Sequence, residues 1–209
     1  MRWPQPSAVV LASGSPHKLA EFRRLFLGSP VRILLAAEVA SPPQVEETGA
    51  TFLQNARLKA NAYAQACRAW CLADDSGLAV DALGGAPGLR SARYAGPAAS
   101  DHARNAKLLA AMADVPDARR TARFRCAVAL AAPDGSIAYT AVRSCEGRIA
   151  HAPRGDQGFG YDPLFIVGMG DRTMAEMTPD EKNRISHRGQ AARAARRFVE
   201  GRLATTAPT

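Results

Sequence analysis

No apolar run in this sequence comes near the ~20 residues that a membrane-spanning helix needs; the longest lie at Val9–Ala12 and Ala127–Ala132. The reading is a soluble protein with no membrane partner. A leader is lacking too: Met1-Arg2-Trp3-Pro4-Gln5-Pro6 holds one arginine and two prolines, neither a charged leader nor an apolar signal core. A cytoplasmic location is expected. The four cysteines, Cys67, Cys71, Cys126 and Cys145, have no CxxC spacing and no paired histidines nearby, which argues against a zinc site and a disulfide framework. Reduced, mostly buried thiols are expected instead. Internal repeats, low-complexity tracts and long linkers are also missing. A single domain over residues 1–209 follows, with flexible ends at about 1–7 and 204–209.

What the chain does have is positive charge, a formal +8 from 27 Lys and Arg against 19 Asp and Glu. That excess suits nucleic acid, an anionic surface or a polyanionic small substrate, and charge alone does not choose. Much of it falls at Arg184, Arg188, Arg193, Arg196, Arg197 and Arg202, where a solvated helix face accounts for most of it.

Along the chain, Val9–Ala12 reads as a strand that stops at Ser13-Gly14-Ser15-Pro16, after which Leu19, Phe22, Leu25 and Phe26 recur at helical spacing. Ser15 suits the N-cap and Pro16 the first helical position. A strand is predicted at Val31–Ala36 and a loop from Ser41 to Gly49; Thr51 with Gln54 forms a capping box for a helix to about Arg68. Ala69–Ala73 reads as a buried strand ending at Asp74-Asp75-Ser76-Gly77, followed by Leu78–Leu83 and the glycine-rich 84–88 stretch. Ser100 caps a helix over Asp101–Ala113. Thr121–Ala131 and Ile137–Ile149 read as paired strands joined at Pro133-Asp134-Gly135. The loop Gly158–Pro163 leads into a strand at Leu164–Val167, Thr178-Pro179-Asp180-Glu181 is another capping box, and a last helix spans Ser186 to Leu203.

Five stretches carry candidate chemistry. The turn Ser13-Gly14-Ser15-Pro16-His17-Lys18 offers unpaired N–H groups and a lysine at a helix N-terminus, where phosphate binds well; an ordinary capped helix with a surface lysine is the blander alternative. Asp74 and Asp75 beside Ser76 and Gly77 are costly to leave after an apolar strand unless a cation neutralises them; a solvent-exposed turn is the alternative. In a strand the two side chains point to opposite faces. Glu46 and Glu47 add acidic groups, Lys59 shares a helix face with Asn55 at i,i+4, and a hard metal on phosphate needs only one or two protein carboxylates. Phe159-Gly160-Tyr161-Asp162 offers aromatics to a base or a staple under a turn. Lys182, His187 and Arg188 follow at a break between two helices.

Taken in order, the stretches 11–18, 46–52, 73–78, 84–88, 91–94, 158–163, 181–182 and 186–190 resemble the inosine triphosphate pyrophosphatases, also described as bacterial XTP/dITP diphosphatases. The resemblance implies an α/β, two-lobed ITPase-like (Maf/HAM-like) fold around an elongated mixed β-sheet with flanking helices and an inter-lobe active-site cleft. It implies a homodimer acting on nucleoside triphosphates, Mg²⁺ dependence with Mn²⁺ as a substitute, and no nucleic-acid partner. It further implies residue roles: Ser13, Gly14, Ser15, Pro16, His17 and Lys18 around the triphosphate; Glu46, or its neighbour Glu47, and Asp75 on the metal; Lys59 on phosphate. Asp75 orients or deprotonates water, with Asp74 and Ser76 alongside. Phe159, Gly160, Tyr161, Asp162, Lys182, His187 and Arg188 build a pocket for a 6-keto purine. Two positions depart from the family pattern: Ser15 stands where asparagine is usual and Gln54 where glutamate is usual.

The expected reaction is conversion of ITP, dITP or XTP to the monophosphate and pyrophosphate by metal-assisted attack of water at the α-phosphorus, which cleanses the nucleotide pool. Three other readings stand beside it: a Maf-like pyrophosphatase with other base preferences, a basic protein that binds nucleic acid without catalysis, and a purely structural protein.

Overall fold

Period-two alternation organises most of this fold. In β1 (Ala8–Leu11), Val9 and Leu11 pack into one hydrophobic cluster, whereas Val10 and the following Ala12 pack into another. β3 (Cys71–Val80) repeats the pattern, with Leu72 on the first side and Cys71 and Ala73 on the second. So does β4 (Thr121–Ala131), which sends Cys126, Val128 and Leu130 one way and Ala127, Ala129 and Ala131 the other. Strands apolar on both faces must be covered on both. On the first face lie α1 (Pro16–Leu25), through Phe22 and Leu25, and α5 (His187–Ala204), through Ala191, Ala195 and Val199. On the second lies α2 (Phe52–Cys67), through Ala56, Ala60 and Ala64.

The structure is a computed structural model that describes residues 6–204. Most of the ends expected to be flexible lie outside those residues. Six strands form one sheet in the order β2-β1-β3-β4-β5-β6, with β2 at Arg32–Leu35, β5 at Ile137–Ile149 and β6 at Phe165–Val167. β1 is parallel to β2 and to β3, and β5 is antiparallel to β6, so the sheet is mixed and the class α/β, as expected. The turn between β4 and β5 closes through Gly135 N–H on Ala132 O at 2.8 Å and Ala132 N–H on Ser136 O at 2.9 Å.

The chain divides into two compact units. The first contains the residues up to Asp75, Cys126–Arg143, and Arg188 onward. The second contains Ser76–Arg125 and Ser144–His187. Its core joins Leu78 and Val80 of β3, Phe124 of β4, Leu108 of α3 (Asp101–Ala111) and Leu164, Phe165 and Met174.

The helix starts follow the capping residues. Ser15, Thr51 and Ser100 each accept an N–H three residues on, and Thr178 and Glu181 complete a reciprocal box before α4 (Pro179–Ile185). β3 departs from expectation: it does not end at Asp74 but runs on to Val80. The Asp-Asp-Ser-Gly stretch resembles a turn, yet Leu78 and Val80 are fully buried beyond it. Among the described residues no helix is long and apolar enough to cross a membrane.

Candidate active site

Because β3 continues through them, Asp74 and Asp75 fall on opposite sides of a strand interior. Asp74 is in phase with Leu72 and so meets the α1 and α5 side; Asp75 is in phase with Ala73 and meets the α2 side. Lys18 Nζ, from the first turn of α1, lies 2.9 Å from Asp74 Oδ2. Arg188, from the first turn of α5, donates Nε to the same oxygen at 3.2 Å and Nη1 to Glu21 Oε2 at 2.7 Å. Burial opposes ionisation of Asp74, but Lys18, Arg188 and Lys59 outweigh it and hold the carboxyl well below the usual carboxylate range.

Asp75 has less positive charge around it. Asn55 Nδ2 donates to its Oδ2 at 3.0 Å and Lys59 Nζ stands 3.8 Å from its Oδ1. Burial raises its carboxyl above the ordinary value, Lys59 and Asn55 pull it down, Glu47 adds to the rise, and the net direction is up. Lys59 also lies 2.7 Å from Glu47 Oε1, so one ammonium serves two carboxylates. Burial works against that charge, yet Asp74, Asp75 and Glu47 together leave the lysine pKa raised.

The acidic loop is fixed by the same helix. Asn55 Oδ1 accepts the Gly49 N–H at 2.7 Å, so a single amide ties the loop on one end and Asp75 on the other. Gly49 is needed there, since a Cβ on it would meet Asn55 Oδ1 at 2.6 Å. Gln54, the departure from the family's glutamate, accepts the Ala50 N–H through Oε1 at 2.7 Å and so acts as a capping group. Of the two glutamates in the loop, Glu47 is half-buried against Lys59, and Glu46 is exposed.

In the 13–18 turn, Ser15 accepts Lys18 N–H and its own N–H binds Ser13 Oγ at 3.1 Å. Ser13 and Ser15 are half-buried; Gly14, Pro16 and His17 are exposed. A Cβ on Gly14 would meet nothing within 4 Å, so the turn has open space in front of it.

The second unit gathers the aromatic loop. Asp162 Oδ2 accepts Phe159 N–H at 2.9 Å and lies 2.6 Å from Lys182 Nζ. That ammonium also sits 4.7 Å from the centre of the Phe159 ring, a cation–π contact. Gly158, at φ +78°, allows this closure, since a Cβ there would stand 2.1 Å from Asp162 Oδ2. Gly160 is held from both sides by α3: its N–H donates to Asp101 Oδ2 at 2.6 Å and its carbonyl accepts from Asn105 Nδ2 at 3.0 Å. Tyr161 is buried with its hydroxyl on Ser91 O at 2.9 Å, so of the two aromatics Phe159 is the one left half-buried. His187 stacks on Phe124 with centroids 4.6 Å apart and planes within 8°. Ser76, half-buried in β3, is the first residue of this unit.

Of the residues expected from sequence, the first unit therefore brings Lys18, Lys59, Asp74, Asp75 and Arg188 together, and the second brings Phe159, Asp162, Lys182 and His187. Arg188 binds Asp74 and Glu21. Glu21, Asp101, Asn105 and Phe124 carry no motif in the sequence. Asn55 was signalled only by its i,i+4 relation to Lys59.

The sequence profile of the Ham1 family matches residues 9–198. A dITP/XTP pyrophosphatase of Anaeromyxobacter sp. (strain Fw109-5) is 46% identical, over 92% of this chain and 96% of its own. One from Bacillus subtilis (strain 168) is 45% identical over 91% and 96%. Among solved structures, a HAM1 protein from Coxiella burnetii superposes with a TM-score of 0.81 at 43% identity, covering 92% of this chain and 98% of that one. With a match that spans both units and every motif just described, the chain belongs to the Ham1 family.

Proposed function

We propose that this chain is a nucleoside-triphosphate pyrophosphohydrolase that converts ITP, dITP and XTP to the monophosphate and pyrophosphate. The observation that carries the reading is the Asp75 carboxylate, held by Asn55 and Lys59 and raised by burial, next to a second carboxylate on the same lysine. A base that must take a proton from water works best when its pKa lies above the ordinary carboxylate value.

The donor set suits a hard divalent cation. Glu47 and Asp75 share one ammonium between two carboxylates, which leaves negative charge to spare, and Mg²⁺ on phosphate takes one or two protein carboxylates with phosphate and water for the rest. Mg²⁺, or Mn²⁺ in its place, would be held by Glu47 and Asp75 and would supply neutralisation of triphosphate charge.

Lys59 and Lys18 add positive charge toward the phosphates, and the open side of the 13–18 turn at Gly14 receives phosphate oxygens at the start of α1. Asp75 orients water and accepts its proton as the oxygen bonds to the α-phosphorus; the bond to the bridging oxygen breaks and pyrophosphate leaves. Asp74 fixes Lys18 and Arg188. Phe159 offers a face to the base, and Lys182 and His187 offer donors to a 6-keto oxygen; an exocyclic amine there would leave a buried donor unpaired. The homodimer and the cytoplasmic location belong to the same reading, and the mass of the particle in solution by light scattering tests the former.

The decisive experiment is pyrophosphate release from ITP, XTP, dITP, GTP, ATP, dTTP and UTP, with Mg²⁺ and with EDTA. Metal-dependent release from ITP, dITP and XTP far above the rest is expected. Preference for dTTP or UTP, or no release from any nucleotide, would overturn the assignment.

A further inference from the structure

Within the second unit, a cavity of about 390 Å³ whose lining includes none of the residues assigned to the reaction is formed by Arg120, Arg148, His151 and Arg154 with Ile149 and Ile166. Arg120 is its fixed element, only 3% exposed. Its Nε donates to Ile149 O, Nη1 to Met112 O and Val115 O, and Nη2 to Ala150 O. These are four bonds of the five N–H groups a guanidinium carries, so one N–H of Nη2 is left over. Carbonyls satisfy donors but carry no net charge, and a buried cation without an anion is costly. The nearby acid, Asp117, has a side chain 85% exposed and is paired with His151.

Two more arginines stand at the rim, each with a carboxylate and a carbonyl partner. Arg148 is 3.3 Å from Asp171, whose side chain is 97% exposed, and donates Nη1 to Gly168 O at 3.4 Å; Arg154 is 3.5 Å from Glu176 and donates Nη2 to Asp171 O. Exposed pairs of this kind are worth little and exchange readily for a better anion. The backbone behind them is firm: Ala150 N–H binds Leu164 O at 2.8 Å, Arg154 N–H binds Pro163 O at 2.9 Å, and Thr173 Oγ1 donates to Arg154 O at 2.8 Å. The cavity volume falls in the range of small-ligand pockets and exceeds what a bare oxyanion fills, and Ala152 with the edge of Ile166 offers apolar surface beside the cationic rim.

We propose that this cavity is a second ligand site, which takes a phosphomonoester with a compact apolar body: the phosphate pairs with Arg120, Arg148 and Arg154, and the body lies on Ala152 and the edge of Ile166. Guanidinium groups match phosphate in a planar, two-point geometry that a lysine does not reproduce.

The test uses the full chain in EDTA, with phenyl phosphate and orthophosphate as probes and the backbone amide signals of Ala150 and Ala152 as the readout. Saturable shifts at both residues are expected, with phenyl phosphate bound more tightly than orthophosphate. The Arg148→Gln/Arg154→Gln variant, altered only at partly exposed side chains, should weaken binding by about tenfold or more, whereas Lys18→Ala/Lys59→Ala should leave the titration unchanged. Absence of saturable shifts at Ala150 and Ala152, shifts that survive in the arginine variant, or shifts lost in the lysine variant would overturn the site. Equal affinity for the two probes would overturn the apolar part of the ligand.

Discussion

Asp74 and Asp75 are sequence neighbours that face opposite sides of β3: Asp74 Oδ2 meets Lys18 and Arg188 on the side of α1 and α5, and Asp75 meets Asn55 and Lys59 on the side of α2. One dipeptide thus divides its labour. The better-neutralised carboxylate is held ionised, and the less neutralised one is raised toward the range of a working base.

Removing charge at Asp75 should cost activity and spare the fold. Asp75→Asn keeps the side-chain volume and can still meet Asn55, but it cannot take a proton from water. Turnover of ITP should fall about 10³-fold or more, with the urea midpoint close to that of the parent. Near-normal rates in the variant would remove Asp75 from the proposed chemistry.

Asp74→Asn should do the reverse in proportion, lowering stability heavily. It leaves Lys18 and the fully buried Arg188 without their shared anion, and breaking a buried pair on one side costs about 3–5 kcal/mol. Urea denaturation reads this directly; a loss under about 1 kcal/mol, the worth of an exposed pair, would show that the cluster is not the anchor of α1 and α5.

The helices were legible because their signals are local. Ser15-Pro16, Thr51 with Gln54, Ser100 and the Thr178–Glu181 box each announce a helix within four residues, and the structure starts α1, α2, α3 and α4 there. The course of β3 was not legible, because what lets two carboxylates sit inside a strand comes from far away in sequence. Arg188 lies 114 residues from Asp74, and Asn55 lies 20 from Asp75. The same applies to Phe124 under His187 and to Arg120, whose carbonyl cage is assembled from the C-cap of α3, the turn after it and the end of β5 with the residue that follows.

Two glycines should respond differently to alanine. At Gly158 the added Cβ meets Asp162 Oδ2 at 2.1 Å on a backbone of positive φ, so Gly158→Ala should displace Asp162 from Lys182 and loosen the aromatic loop. The expected result is a raised KM for ITP and a narrower gap between ITP and ATP. At Gly14 the added Cβ meets nothing, so Gly14→Ala should leave the melting temperature within a few degrees of the parent. A Gly158→Ala protein with unchanged KM and selectivity would separate the loop from base recognition.

Thiol chemistry provides a check on the cores that is independent of catalysis. Burial pushes Cys126 up to about 12, helped by Asp74, and Cys145 up to about 11; Cys71 rises further, while Cys67 is only half-buried. Thiolate, not thiol, attacks a disulfide reagent, so at pH 8 the three buried groups are nearly inert. Native protein treated with an aromatic disulfide should therefore label first at Cys67, by peptide mass mapping, and release its other three thiols only on unfolding. Rapid labelling of Cys126 without unfolding would mean that the α1–β3–α5 layer opens readily, and with it the ionic cluster around Asp74.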